Sequence, residues 1–180
     1  KTLKPLLVSF LLLAGLNAFA CTNLLITKGA SVDGSCFISY CADSHIRYGE
    51  LYYTPAADWP EGSMRVCYDR GTNAPRGSIP QPPHTYQVVG YINENQVALG
   101  ETTFGGREEL IDPTGIIDYG SLMFIALERS TSAREAIKIM ADLVEEYGYG
   151  SDGESFSISD ANEVWYMEIM PKGYTQKVTK

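Results

Sequence analysis

AFACTNLLITK, residues 18–28, is the stretch on which the fold and the function of this chain both depend. Its first three residues form the small-x-small pattern at which secretory signals are cut. Its remaining residues, 21–28, have the composition of a β-strand and begin with a cysteine. If the chain is cut after Ala20, Cys21 becomes the first residue of the mature protein and carries both a thiol and a free α-amino group.

The segment before this point has the features of an export signal. Lys1 and Lys4 precede an apolar run at residues 5–16, PLLVSFLLLAGL. That run is shorter than the roughly 20 residues that a membrane-spanning helix needs. We therefore expect residues 1–20 to be a secretory signal peptide. The protein is then expected to be secreted or periplasmic, with no stable membrane insertion after signal removal.

A cysteine directly after a signal can also be a site of lipid attachment. A lipobox has leucine or a similar residue three positions before the cysteine, where Ala18 stands, and a small residue two positions before it, where Phe19 stands. Both residues fit ordinary signal cleavage better. Lipidation at Cys21, which would give a surface-anchored binding protein, stays the alternative.

Charge and cysteine content narrow the class of protein. The formal net charge of −8 argues against nucleic acid as a partner. The spacing of the four cysteines matches no zinc pattern, and the two histidines do not complete one, so we expect neither a metal nor a cofactor. The cysteines other than Cys21 are expected to be core thiols: Cys36, Cys41 and Cys67.

The order of strand-like and helical segments predicts an α+β fold in which a sheet carries helices on one face. Three hairpins, two shorter strands and two loops are expected: 21–28 with 35–41, 86–92 with 96–103, and 154–160 with 163–169; strands at 51–54 and 64–68; loops at 71–84 and 105–118. Helices are expected over 119–130 and 133–147, the second capped by Thr131 or Ser132 and ended by Gly148.

A cysteine nucleophile needs a base, because only a few per cent of free thiols are ionised at pH 7. The chain has two histidines, His45 and His84, and both fall in expected loops. A mature N-terminal Cys21 would supply its own base, since an α-amine has a pKa of about 7.7–8.0.

Four blocks of the sequence carry a family resemblance: CTNLLITKGASVDGS from residue 21, CADSH from 41, NENQVALGETTFGGREEL from 93 and GESFSISDANEVWYMEI from 153. In this order they resemble the dipeptidase family of N-terminal-nucleophile cysteine hydrolases, which includes the bacterial dipeptidase A enzymes and the secernins. The resemblance implies a four-layer αββα sandwich and hydrolysis of small peptides. Family members are far longer, so residues 21–180 are expected to be the N-terminal portion of a single domain. An amidase of the related penicillin V acylase or bile salt hydrolase type is the alternative.

The resemblance also assigns candidate roles to single residues. Cys21 matches the nucleophile, and Asp43 matches an aspartate that lies beside the terminal amine. Tyr40 stands where the wider group often has an arginine, and Thr103 aligns with an oxyanion-hole asparagine of the acylases. Glu101 is a candidate for binding the free amine of a peptide substrate. For Glu154 two alternatives stay open, a structural role and a place in the lining of the cleft.

Overall fold

The computed structural model describes residues 21–43 and 49–171, and it consists of mainly antiparallel sheets with two helices. The predicted α+β class is therefore confirmed. The expected signal peptide, residues 1–20, and His45 lie outside the described residues. No helix in the described part of the chain is long and apolar enough to cross a membrane.

The strands of the described ranges are short except where the core is formed. They are β1 (Thr22–Ile26), β2 (Phe37–Cys41), β3 (Tyr53–Thr54), β4 (Ala57–Asp58), β5 (Met64–Tyr68), β6 (Pro75–Pro80), β7 (His84–Thr85), β8 (Val88–Val89), β9 (Ile92–Asn93), β10 (Ala98–Gly105), β11 (Gly153–Ser159) and β12 (Val164–Ile169). The helices are α1 (Tyr119–Arg129) and α2 (Ala133–Tyr147), preceded by a 3₁₀ turn at Glu108–Leu110.

The central sheet has six strands in the order β12-β11-β10-β9-β8-β3. The predicted hairpin 154–160/163–169 is confirmed, since β11 and β12 pair from Glu154–Ile169 to Ser159–Val164. The first hairpin is confirmed as well, because β1 and β2 pair without a register shift. It forms a separate two-stranded sheet.

One prediction about the middle of the chain is wrong, and another is confirmed only in part. The expected loop 71–84 contains β6, which pairs with β5 and buries Ile79 completely. Prolines at both ends of β6, together with Gly77 at a φ of +151°, hide its strand character. The expected hairpin 86–92/96–103 is confirmed only in part, because β9 and β10 are antiparallel neighbours that pair only at Ala98–Ile92, and the long partner of β10 is β11.

Asn93 explains why the chain turns away at this point. It is buried, and its Oδ1 accepts hydrogen bonds from the backbone N–H groups of Asn95 and Val97, both at 3.0 Å. Its Nδ2 donates to the carbonyl oxygens of Leu127 and Ser130, both at 2.7 Å. The turn is thus bound to the end of α1 rather than closing a regular hairpin.

Both helices form where they were predicted. The Asp118 side chain caps α1 by accepting the Ser121 N–H at 2.6 Å, and Ser132 caps α2. Gly148 ends α2 at a φ of +75°, a conformation that disfavours other residues.

The central sheet is covered on both faces. On one face, Leu99 of β10 and its partner Ile158 of β11 join the core formed with the helices. Alternation places Gly100 and its partner Ser157 on the opposite face, where Asn23 of β1 donates to Ser157 at 3.1 Å. The result is helices, a sheet and a second pair of strands in successive layers, and every residue of β11 is buried.

Candidate active site

A cleft of about 980 Å³ opens beside the first described residue, Cys21. The β1–β2 hairpin, β10, α1 and the segments around residues 49–52, 70 and 91 contribute to its walls. Of the six residues that the resemblance singled out, all but Glu154 line it: Cys21, Tyr40, Asp43, Glu101 and Thr103. The structure therefore brings together side chains that are up to 82 positions apart in the sequence.

The hairpin reaches this position because β10 offers it a flat surface. At Gly100 a Cβ would lie 3.0 Å from the Cβ of Tyr40 and 3.4 Å from Nδ2 of Asn23. Glycine at this position lets β2 pack directly on the sheet. The close approach puts the start of β1 and the end of β2 at the mouth of the cleft.

The Cys21 thiol is half-buried and lies in an acidic environment. Burial makes the largest contribution to raising the pKa of this thiol. A hydrogen bond from the Asp43 backbone N–H lowers the pKa, while the negative charges of Glu101, Asp43 and Glu154 raise it further. On balance the thiol pKa lies above its ordinary value, so a base close to the sulfur is needed for nucleophilic attack.

Half-buried Tyr40 and buried Glu101 line the cleft together with the Cys21 thiol. The Tyr40 hydroxyl donates a hydrogen bond to Oε1 of Glu101, whose residue is only 4% exposed. Burial first, and then the bond to Glu101, raise the Tyr40 pKa, which keeps the phenol protonated. The Tyr40 ring also meets Tyr91 edge to face, with ring centres 5.2 Å apart.

Glu101 and Glu154 form a buried pair of carboxyl groups. Among the described residues, Oε2 of Glu101 and Oε1 of Glu154 have no partner when both groups are ionised. Burial and the hydrogen bond to Glu101 raise the pKa of Glu154 to about 9. A protonated Glu154 can donate to Glu101, which satisfies both oxygens.

Thr103 is already engaged in this pair. Its hydroxyl donates to Oε2 of Glu154 at 2.9 Å, and the two residues face each other across β10 and β11. The hydroxyl predicted to contact substrate thus holds Glu154 in this structure. Glu154 itself could have been recognised from the sequence, because alternation places it with Phe156 and Ile158 on an apolar face of β11.

Arg70 also lines the cleft and was missed by the sequence analysis. Among the described residues, it is the one lysine or arginine that lines the cleft. Its Nη2 donates to the Tyr91 hydroxyl at 3.2 Å, and its guanidinium lies 5.6 Å from the centre of the Phe124 ring. No local pattern marks this residue, because only tertiary packing brings it to the cleft.

The other cysteines differ from the expectation of core thiols. Cys67 is buried, but Cys36 is only half-buried and Cys41 is exposed. The prediction is wrong for Cys41 because the β1–β2 hairpin leaves alternate residues of β2 open to solvent. Within residues 21–43 and 49–171 no group of three His, Cys, Asp or Glu side chains is placed to hold a metal ion.

Sequence comparison identifies the class of protein. The pattern of Peptidase family C69 matches residues 47–175. The chain therefore belongs to this peptidase family. The matched span begins after the hairpin that carries Cys21.

Curated relatives extend the similarity towards the N-terminus. A probable dipeptidase of Latilactobacillus sakei is 30% identical over 174 residues, which cover 84% of this chain and 35% of the relative. A probable dipeptidase of Salmonella dublin is 27% identical over 169 residues, covering 83% and 38%. A probable dipeptidase A of Streptococcus pyogenes serotype M1 is 29% identical over 173 residues, covering 84% and 35%. The chain thus spans little more than a third of the length of these relatives.

Proposed function

We propose that the protein is an exported cysteine dipeptidase whose nucleophile is Cys21 after removal of residues 1–20. Membership of Peptidase family C69 and similarity to probable dipeptidases support hydrolysis of small peptides. The observation that carries the mechanism is the position of the Cys21 thiol. It lines a cleft together with a buried carboxyl group and accepts a hydrogen bond from the backbone of Asp43.

The α-amine of Cys21 would act as the base. The raised thiol pKa requires a proton acceptor close to the sulfur. His84 does not serve, because it pairs with Asp58 at 2.7 Å and is not among the residues that line the cleft. The Asp43 carboxyl would hold the amine in place and balance its charge once protonated.

The reaction then follows from these positions. The thiol proton passes to the α-amine, and the sulfur attacks the carbonyl carbon of the peptide bond. The protonated amine next donates its proton to the leaving amine, which yields a thioester and the free second amino acid. Water attacks the thioester with the same amine as base, and the first amino acid leaves as a carboxylic acid.

Glu101 would bind the free ammonium group of the substrate. Its carboxyl is buried, receives the Tyr40 hydroxyl and lines the cleft on the side of Cys21. A substrate ammonium would compensate the negative charge that Glu101 and Glu154 hold together. Tyr40, which takes the place of an arginine in the wider group, would position Glu101 instead of stabilising the thiolate directly.

The layered packing supports a partial αββα sandwich. Helices cover one face of the central sheet and the β1–β2 hairpin covers the other, in the order α, β, β. We propose that residues 21–180 form the N-terminal portion of one such domain. The remaining length of the relatives would supply the rest of the second sheet and its helices.

The decisive experiment joins the mature N-terminus to activity. N-terminal sequencing and intact mass of the exported full-length protein should show an unmodified chain starting at Cys21. Cys21→Ala and Cys21→Ser should lower kcat for dipeptides at least about 1000-fold, while Cys36→Ser, outside the cleft, should not. A lipid adduct at Cys21, a different N-terminus or hydrolysis by Cys21→Ala would refute the proposal. Faster hydrolysis of acylated amides than of dipeptides would favour the amidase alternative.

A further inference from the structure

We propose that Arg70 binds the C-terminal carboxylate of the substrate, so that a free carboxylate is required for efficient hydrolysis. This inference rests on the proposed dipeptidase function and deepens it. It assigns the end of the substrate that lies opposite the ammonium group. It would also limit the length of the peptides that the cleft accepts.

Charges of both signs line the cleft. Its carboxyl groups are Asp43, Glu50 and Glu101, of which Asp43 and Glu101 act on the Cys21 thiol, and Arg70 is the cationic side chain among the described lining residues. A dipeptide with free termini has the complementary arrangement, with its ammonium in the residue that is acylated and its carboxylate in the residue that leaves. Charge complementarity of this kind selects and orients a ligand.

Two tyrosines connect Glu101 with Arg70 through a continuous chain of contacts. Tyr40 donates to Glu101, its ring meets Tyr91 with centres 5.2 Å apart, and the Tyr91 hydroxyl accepts from Arg70 at 3.2 Å. An extended dipeptide spans about 7 Å. The two rings therefore lie between Glu101 and Arg70, and an extended dipeptide would have to lie along them to reach both groups.

Contacts with residues at the start of α1 hold Arg70 in position. Its backbone N–H donates to Oδ2 of Asp118 at 2.6 Å, the same carboxylate that caps α1. A Cβ at Gly120 would lie 2.2 Å from the Cδ of Arg70, so glycine makes room for the arginine stem. A guanidinium positioned in advance loses little entropy when it binds a carboxylate, and its planar fork matches the two oxygens.

A second cavity lies next to the cleft and explains how binding to Arg70 would exclude a tripeptide. This cavity has a volume of about 470 Å³ and shares Tyr52 and Arg70 with the cleft. The two side chains thus form the boundary between the two spaces. A carboxylate bound to Arg70 ends at this boundary, whereas the third residue of a tripeptide would have to pass it.

The test compares substrates that differ only at the C-terminus. We would measure kcat/KM of the full-length protein for Ala-Ala, for its C-terminal amide and for Ala-Ala-Ala. The variants are Arg70→Gln and Arg70→Lys, with Arg134→Gln as the control, since Arg134 lies exposed on α2 and binds Glu163. Calorimetry measures the binding of Ala-Ala and of its amide to Cys21→Ala, and this readout does not depend on turnover.

We expect the wild type to prefer Ala-Ala over the amide roughly 10- to 100-fold, the value of a hydrogen bond to a charged group. Arg70→Gln should lose this preference by slowing only Ala-Ala, Arg70→Lys should keep part of it, and Arg134→Gln should keep all of it. Equal rates for both substrates in the wild type would overturn the inference, as would an equal loss for both in Arg70→Gln. If Arg70→Gln does not fold, the wild-type ratio and Arg70→Lys decide.

The two proposals fail in distinguishable ways. If the wild type hydrolyses none of the peptides, the dipeptidase function is wrong, and the calorimetric preference of Cys21→Ala for Ala-Ala over its amide still decides the role of Arg70. If hydrolysis occurs without the preference, the function stands and the role of Arg70 is wrong.

Discussion

Glu154→Gln should make the stability of the protein less sensitive to alkaline pH. In the folded protein burial and the neighbouring Glu101 raise the pKa of Glu154 from its ordinary 4.5 to about 9. Between these values the folded state holds one proton more than the unfolded state. The stabilising contribution of the protonated group is therefore fully present below about pH 4.5 and is lost as the pH rises towards 9.

The size of the effect follows from this one proton. The free energy of unfolding falls by at most about 1.4 kcal/mol per pH unit, or about 3 kcal/mol between pH 6 and pH 8. Water in the adjoining cleft weakens the effect, so we expect a loss of about 1–2 kcal/mol. Glutamine has nearly the same shape as protonated Glu154. It can accept the Thr103 hydroxyl and donate to Glu101, and it carries no titrating proton.

The assay is urea unfolding of the full-length wild type and variant at pH 6 and pH 8. Glu154→Gln should lose about 1–2 kcal/mol less than the wild type between the two pH values. Glu61→Gln, in an exposed turn, is the control and should behave as the wild type. Equal pH dependence in wild type and Glu154→Gln would show that Glu154 does not hold the proton, and the account of the carboxyl pair would be wrong.

Three further substitutions test how the cleft is built. Tyr40→Phe removes the donor to buried Glu101 and should cost about 1–3 kcal/mol in urea unfolding and raise KM for dipeptides. Gly100→Ala inserts a Cβ 3.0 Å from that of Tyr40, and should lower the unfolding free energy by about 1–3 kcal/mol. Asp118→Ala removes the cap of α1 and the acceptor of the Arg70 N–H, and should cost about 1–2 kcal/mol. It should also reduce the preference for a free C-terminal carboxylate.

Each of these variants has a result that would contradict its reasoning. Tyr53→Phe alters an exposed tyrosine, so an equal effect of Tyr40→Phe would mean that the bond to Glu101 is unimportant. Gly29→Ala has open space around its Cβ, and the Gly100 variant must be clearly less stable than it. Asp118→Asn retains one oxygen, which can accept the Ser121 N–H that caps α1. If it loses as much stability as the alanine variant, the cap is not the reason.

The sequence predicted the fold best where local signals and tertiary packing agree. The α2 segment combines a Ser132 cap, a regular apolar face and Gly148, and each of these has a local cause. The last hairpin alternates and turns within 16 residues. By contrast, β6 was missed because Pro75, Gly77 and Pro80 are turn residues by propensity. Its pairing with β5 and the burial of Ile79 outweigh that local preference.

The sequence pointed to candidate site residues only where a residue type carries chemistry by itself. Cys21, Asp43 and Glu101 could be selected because a thiol after an expected signal and carboxyl groups in related blocks suggest roles. Arg70 could not, since arginine in a turn is common and its value here depends on Tyr91. Such contacts cannot be read from local sequence, because only folding brings Arg70, which follows β5, against α1.

The acidic surroundings of the thiol imply that substrate binding helps to activate it. In the free protein the negative charges of Glu101 and Asp43 contribute to the raised pKa of Cys21. A bound substrate ammonium beside Glu101 would offset part of that charge and lower the thiol pKa. The pH at which the rate rises reports the pKa of the free enzyme when kcat/KM is plotted. It reports the pKa of the enzyme–substrate complex when kcat is plotted. The rising limb should therefore lie at a lower pH in kcat than in kcat/KM. In Glu101→Gln the limbs of kcat and kcat/KM should lie at the same pH, because the charge that the ammonium offsets is gone.

If the kcat limb of the wild type lies at the same pH as the kcat/KM limb or at a higher one, the ammonium does not bind near Glu101. The carboxyl pair would then be structural, and the acidic lining of the cleft would need another explanation.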